Sequence, residues 1–103
     1  MLQSTDVAAF VASADLPRAR EFYEHRLGLR LTAQNDFACV FDANGTVLRV
    51  TAVPEVARAG YTVLGWRVTN IEAVISGLTT NGAVFNRYDG MGQDDKGIWT
   101  APG

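Results

Sequence analysis

The stretch DLPRAREFYEHRLGL, Asp15 to Leu29, holds a complete helix signature with a strand on either side of it. Asp15 is a suitable N-cap, because its short side chain can accept a bond from an orphan backbone N–H. Pro17 falls in the first turn, where its missing N–H has no helical partner. Leu16, Ala19, Phe22, Tyr23 and Leu27 recur at helical spacing and make one apolar stripe. Gly28 can take the left-handed conformation that ends a helix. The chain's only histidine, His25, lies two residues after Tyr23 and so about 200° around the helix from it. That position predicts a solvent-facing side chain that, when protonated, favours the negative end of the helix dipole.

Working outward, Asp6–Ser13 (DVAAFVAS) reads as a strand bounded by polar residues. Leu29–Gln34, Phe37–Asp42 and Thr46–Val53 read as three more, the last two joined through Asn44-Gly45, a dipeptide suited to the positive φ angles of a tight hairpin. Pro54–Gly60 (PEVARAG) is the longest connection in this half. The pattern then restarts. Tyr61–Val68 predicts a strand, Asn70 a second N-cap, and Ile71, Val74, Ile75 and Leu78 a second apolar stripe closed by Gly82, with a strand over Ala83–Asp89. A shift of about 55 residues lays Asp15 on Asn70, Leu16 on Ile71 and Tyr23 on Leu78. The chain therefore reads as a duplicated β-α-β-β-β unit: one module over 1–53, a linker over 54–60 and a second module over 61–103. After GMGQDDKG only IWTAPG remains, so the second module is expected to be incomplete. The fold class is α+β. A ferredoxin-like β-α-β-β-α-β sandwich accounts for the order less well, because the Asn44-Gly45 hairpin adds a strand before the second helix.

With 103 residues, 48% apolar and 19% charged, the composition is that of one globular domain. A net charge of −2 and a pI near 5.2 lack the clustered Lys and Arg of a nucleic-acid footprint. No apolar run approaches the roughly 18 residues of a spanning helix, and MLQSTDVAAF has no signal-peptide pattern. A cytoplasmic protein without membrane or nucleic-acid partners is expected. The single cysteine, Cys39, excludes an internal disulfide, and mid-strand it reads as a small inert hydrophobe. Walker loops, zinc-spaced Cys/His clusters and a Ser-His-Asp order are missing from the sequence.

Three segments carry a family resemblance: VASADLPRAREFYEHRLGL, where an aspartate follows the first strand and an FY-bearing helix closes on LGL; the strand YTVLGWRV; and the ending GIWTAPG. On these the chain resembles the vicinal oxygen chelate superfamily of glyoxalase, bleomycin-resistance and extradiol-dioxygenase proteins. The resemblance implies two βαβββ modules whose curved sheets enclose a cleft. In catalytic members a divalent metal sits there, on His, Gln or Glu side chains of the first and fourth strands of each module. Transferred to this chain, those positions fall on Ala8, Arg49 and Val63, and the fourth lies on a strand the sequence does not contain. A methyl and an isopropyl group cannot ligate, and a guanidinium repels a cation. One-residue slips give Ala9, Val50 and Thr62, which are no better. No metal, cofactor or catalytic residue is assigned.

Period-two alternation then separates the faces of each strand. Val7, Ala9 and Val11 should face the helices, with Ala8, Phe10 and Ala12 in the cleft; Leu48 and Val50 should face inward, with Val47, Arg49 and Thr51 in the cleft. In the second module Leu64, Trp66 and Val68 should pack on the helix side, with Val63, Gly65 and Arg67 in the cleft. Arg49 and Arg67 are thus expected to converge beside Phe10 and Val63, and these four are the candidate ligand-binding residues. Guanidinium groups grip carboxylate or phosphate; alternatively the arginines pair with acids of the GQDDKG loop. The expected function is metal-independent binding of an anionic or aromatic small molecule. The alternatives are a metal-dependent lyase, isomerase or dioxygenase of the same superfamily, or a module acting only through assembly. An incomplete second module leaves an unpaired sheet edge, which predicts a homodimer with exchange of strands or modules.

Overall fold

A computed structural model describes residues 1–102. Its backbone divides into two compact units, Met1 to Arg67 and a second beginning at Val68.

The first unit is a βαβββ module. β1 (Ala8–Ser13) leads into α1 (Leu16–Arg20), which continues as a π-helical turn over Glu21–Arg26; β2 (Arg30–Gln34), β3 (Ala38–Ala43) and β4 (Thr46–Ala52) follow. The sheet order is β1-β4-β3-β2, with β1 parallel to β4 and the other pairs antiparallel. This order returns the last strand to the side of the first, as a βαβββ unit requires. The Asn44-Gly45 turn forms as expected, with φ of +52° and +90°, and the Asp42 carboxylate accepts the Gly45 N–H at 3.0 Å.

The helix begins where the sequence places it. Asp15 Oδ1 accepts the Arg18 N–H at 3.1 Å, and Pro17 occupies the first turn. Its second half differs from the expected α-helix. The Leu27 N–H donates to the Phe22 carbonyl and the Leu29 N–H to the Tyr23 carbonyl, both at 2.9 Å, before Gly28 turns the chain at φ +76°. The span from Asp15 to Gly28 is one residue longer than that from Asn70 to Gly82. A π-helical turn holds one residue more than an α-helical turn, so it absorbs the extra residue without moving the cap or the stop.

The core lies between this helix and one face of the sheet. Phe41, Leu48, Val50 and Cys39 are fully buried, with Ala19 over them and Leu16, Tyr23, Ala9, Val11 and Leu64 packed around them. Tyr23 carries the aromatic contacts, edge-on to Phe22 (ring centroids 5.1 Å) and tilted against Phe41 (5.7 Å).

The second unit contains α2 (Ile71–Thr80), capped by Asn70, whose Oδ1 accepts the Ala73 N–H at 3.1 Å. The two caps are near copies: φ and ψ are −145° and 92° at Asp15 and −138° and 92° at Asn70. The strands expected over residues 61–68 and 83–89 join no ladder among the described residues. Alternation gives a segment two faces, but a strand also needs a neighbouring backbone in register, and neither segment has one. For the same reason the α2 stripe is not packed as a core: Ile71 is 49% and Val74 38% exposed, and Ala83 is the buried apolar residue of this unit. The fold is α+β, with one complete βαβββ module and an incomplete second one.

Removing most of a core side chain with Leu48→Ala is expected to lower unfolding stability by about 2–5 kcal/mol in a urea titration. Asp15→Ala, which removes one cap bond, is expected to lower it by about 1 kcal/mol.

Candidate functional site

The ladders fix which side chains stand together on the sheet face away from α1. Register pairs Ala8 with Val47, Phe10 with Arg49 and Ala12 with Thr51 between β1 and β4. Between β4 and β3 they pair Thr51 with Ala38, Arg49 with Val40 and Val47 with Asp42. Residues opposite one another project from the same face, so the middle of this surface is a row of Phe10, Arg49 and Val40, continued on β2 by Ala33. Phe10 is 67% exposed and Arg49 half-buried, and small side chains (Ala8, Ala12 and Ala38) flank the row.

Charge on this face is sparse. Asp42 is its one carboxylate near Arg49, and Arg30, its register partner on β2, takes it at 3.6 Å. Among the described residues no hydrogen bond or ion pair engages the Arg49 guanidinium. It is therefore a half-buried cation with an aromatic ring beside it and no protein anion of its own.

Sequence reasoning placed Phe10 and Arg49 on one face, and the structure makes them direct neighbours. It does not bring Arg67 to them. Arg67 lines a groove of about 290 Å³ with Ala9, Ala43 and Leu48, side chains of the core face, together with Leu64, Gly65 and Trp66. The expected convergence of the two arginines is thus replaced by two separate positions. The reason lies in the 61–67 segment: it is not in a ladder, so no pleat directs its odd-numbered residues to the open face. Leu64 packs against the core as expected, Trp66 is half exposed, and Val63 projects into solvent. Val40 was missed, although the two-residue Asn44-Gly45 turn sets the β3–β4 register and so names it as the partner of Arg49.

The metal positions implied by the resemblance carry Ala8 and Arg49 on the open face and Val63 in the unpaired segment. Among the described residues no three His, Cys, Asp or Glu side chains lie close enough to hold a metal ion. The donors on this face do not fit a metal that needs several oxygen or imidazole ligands.

The other chemical groups lie elsewhere. His25 is exposed, its Nε2 3.3 Å from Glu24, on the helix across the sheet from Phe10 and Arg49. Burial raises the Cys39 thiol pKa above its ordinary value, with Glu24 adding to this and Arg20 opposing it, and burial likewise raises that of the Tyr23 hydroxyl. Both belong to the core face. In the second unit the GMGQDDKG loop meets Arg87, which donates to the carbonyls of Asp94 and Asp95 rather than to their carboxylates. Gln93 ties the loop, accepting from the Tyr88 N–H at 2.8 Å and donating to the Asn86 and Gly97 carbonyls.

A four-stranded βαβββ sheet with its helix on one face defines a module of the paired-βαβββ class. The sequence model of the Glyoxalase/Bleomycin resistance protein/Dioxygenase superfamily matches residues 6–90, and the chain belongs to that superfamily. Two solved structures share the fold. A glyoxalase/bleomycin resistance protein/dioxygenase from Alicyclobacillus acidocaldarius is 17% identical with a TM-score of 0.64, over 84% of this chain and 74% of that one. A glyoxalase family protein from Enterococcus faecalis is 20% identical with a TM-score of 0.63, over 96% of both chains. No protein of curated function matches the sequence.

The fully buried Cys39, with its thiol pKa raised, is expected to resist a soluble thiol reagent such as Ellman's reagent in the native protein and to react once urea unfolds it. Stoichiometric labelling of the native protein within minutes would contradict this packing.

Proposed function

We propose that the chain is a metal-independent small-molecule binding protein of the glyoxalase/bleomycin-resistance type, with its ligand seated on the open sheet face at Phe10 and Arg49. One observation carries this reading: the half-buried Arg49 guanidinium stands beside an exposed ring and has no protein counter-ion among the described residues. A half-buried cation without a partner favours an anion brought from outside. Arg67, in its groove with Trp66, and the solvent-exposed Val63 stay in the proposal as positions apart from that face. The donor set supports binding rather than metal chemistry, since the face offers one carboxylate, already paired.

Two copies are proposed to assemble through β1, whose outer edge has no strand partner among the described residues. Unpaired strand edges are a template for pairing with another chain. No helix among the described residues is long and apolar enough to cross a membrane, and a cytoplasmic location is part of this proposal.

A thermal-shift screen of small acids, phosphates and aromatic compounds, with and without Mn, Fe, Ni and Zn, tests the reading. Stabilisation by an anionic or aromatic compound, undiminished by chelator and lost in Arg49→Gln, is expected. Stoichiometric metal, removed by chelator together with an activity, would replace the binding protein with a metal-dependent enzyme. Light scattering is expected to give twice the chain mass, and a monomer at high concentration would contradict the pairing through β1.

A further inference from the structure

Resting on the binding site just proposed, we infer that its ligand is an aromatic monocarboxylate, a planar ring bearing one carboxylate at its end. Three features of the open face lead there, each independent of the others.

The first is charge. Around the site stand two cations, Arg30 and Arg49, and one anion, Asp42; Arg30 and Asp42 face each other at 3.6 Å. Their pairing leaves a single positive charge, on Arg49. A carboxylate matches it with one negative charge and accepts two parallel N–H bonds from the guanidinium fork. A phosphate monoester carries close to two negative charges at neutral pH, and its second charge would find Asp42 nearby and no further cation. An amine or other cation would meet Arg49 itself.

The second is shape. Phe10 is the direct register neighbour of Arg49, so the two side chains rise from the same face on backbones one strand spacing apart, roughly 4.8 Å. On β1 the residues two before and two after Phe10 on the same face are the exposed Ala8 and Ala12, whereas Ala38, across from Thr51 on β3, is itself buried. The Ala8 and Ala12 methyl groups keep the surface low along β1 on both sides of Phe10. A flat body can lie against the Phe10 ring with its carboxylate at Arg49, whereas a globular apolar group would touch few atoms.

The third is the polar surround. Val47 and Val40 border the guanidinium on β4 and β3, and both are apolar. They exclude water from one side of the charge pair without competing for it. Thr51, two residues along β4 on the same face, offers a hydroxyl, whereas the Thr32 hydroxyl is already committed to the Val40 carbonyl at 3.1 Å. A ring of this kind fits best when any further substituent is a single hydrogen-bonding group rather than a second charge.

The test uses the full chain and four defined probes by isothermal titration and by 15N chemical-shift mapping: benzoate, cyclohexanecarboxylate, phenyl phosphate and benzamide. Benzoate is expected to bind and to shift Phe10, Arg49 and Val40. Cyclohexanecarboxylate and phenyl phosphate are each expected to bind at least about fivefold more weakly, and benzamide, without charge, about tenfold or more. Arg49→Gln should abolish benzoate binding, Arg49→Lys should retain part of it, and Phe10→Leu should erase the preference for benzoate over cyclohexanecarboxylate. Equal affinity for the two carboxylates, or tighter binding of phenyl phosphate at the same residues, would overturn the assignment while leaving the binding site standing. Absence of shifts on the open face with every probe, in a protein whose amide spectrum is that of a folded chain, would overturn both.

Discussion

Six register pairs, from Ala8–Val47 to Ser13–Ala52, hold the first strand of the complete module parallel to its last. Parallel strands cannot be joined by a tight turn. Here a helix, a second strand and a hairpin must all be laid down before β4 can reach β1. The closure is costly in chain entropy and is secured by burial, since Leu48 and Val50 on β4 and Ala9 and Val11 on β1 share the core with Ala19 and Tyr23. Without this ladder β1 and the helix would have only a hairpin to pack against, and the open face would not exist as a surface.

The same ladder builds the candidate site. Because side chains alternate across the pleat, each residue that anchors β1 or β4 in the core is followed by one on the open face: Ala9 by Phe10, Leu48 by Arg49. Closing the core and juxtaposing Phe10 with Arg49 are one event. A slip of one residue in the β1–β4 register would expose Val50 and bury Arg49, which makes the register strongly specified. A polar site is thereby positioned by apolar packing on the other side of the sheet.

What was legible in the sequence follows from where its determinants lie. Asp15, Pro17 and Gly28 act within a few residues of themselves, and the helix start and stop stand where they predict. Asn44-Gly45 likewise sets its own turn and, through it, the β3–β4 register. Alternation correctly separated the two faces of β1 and β4 because both strands enter a ladder that makes alternation physical. The π-helical turn escaped notice, since apolar spacing at three and four residues does not register a single extra residue in one turn. The placement of Arg67 beside Arg49 failed for a different reason. It assumed a pleat over residues 61–68, and a pleat is a property of paired backbones rather than of one segment.

The contrast between the two units shows how far local signals reach. Asp15 and Asn70 cap their helices with near-identical dihedral angles and bonds of the same length, and Gly28 and Gly82 both turn the chain at positive φ. Yet one helix covers a sheet and buries Ala19, while within its own unit the other leaves Ile71 and Val74 half exposed. Capping therefore decides where each helix begins, and the sheet decides whether its apolar stripe becomes a core. In the first unit that division of labour leaves the open face free of structural duty. Phe10 and Arg49 can change their chemistry without disturbing Phe41, Leu48 or Val50, because the pleat points them to opposite sides of the same strands.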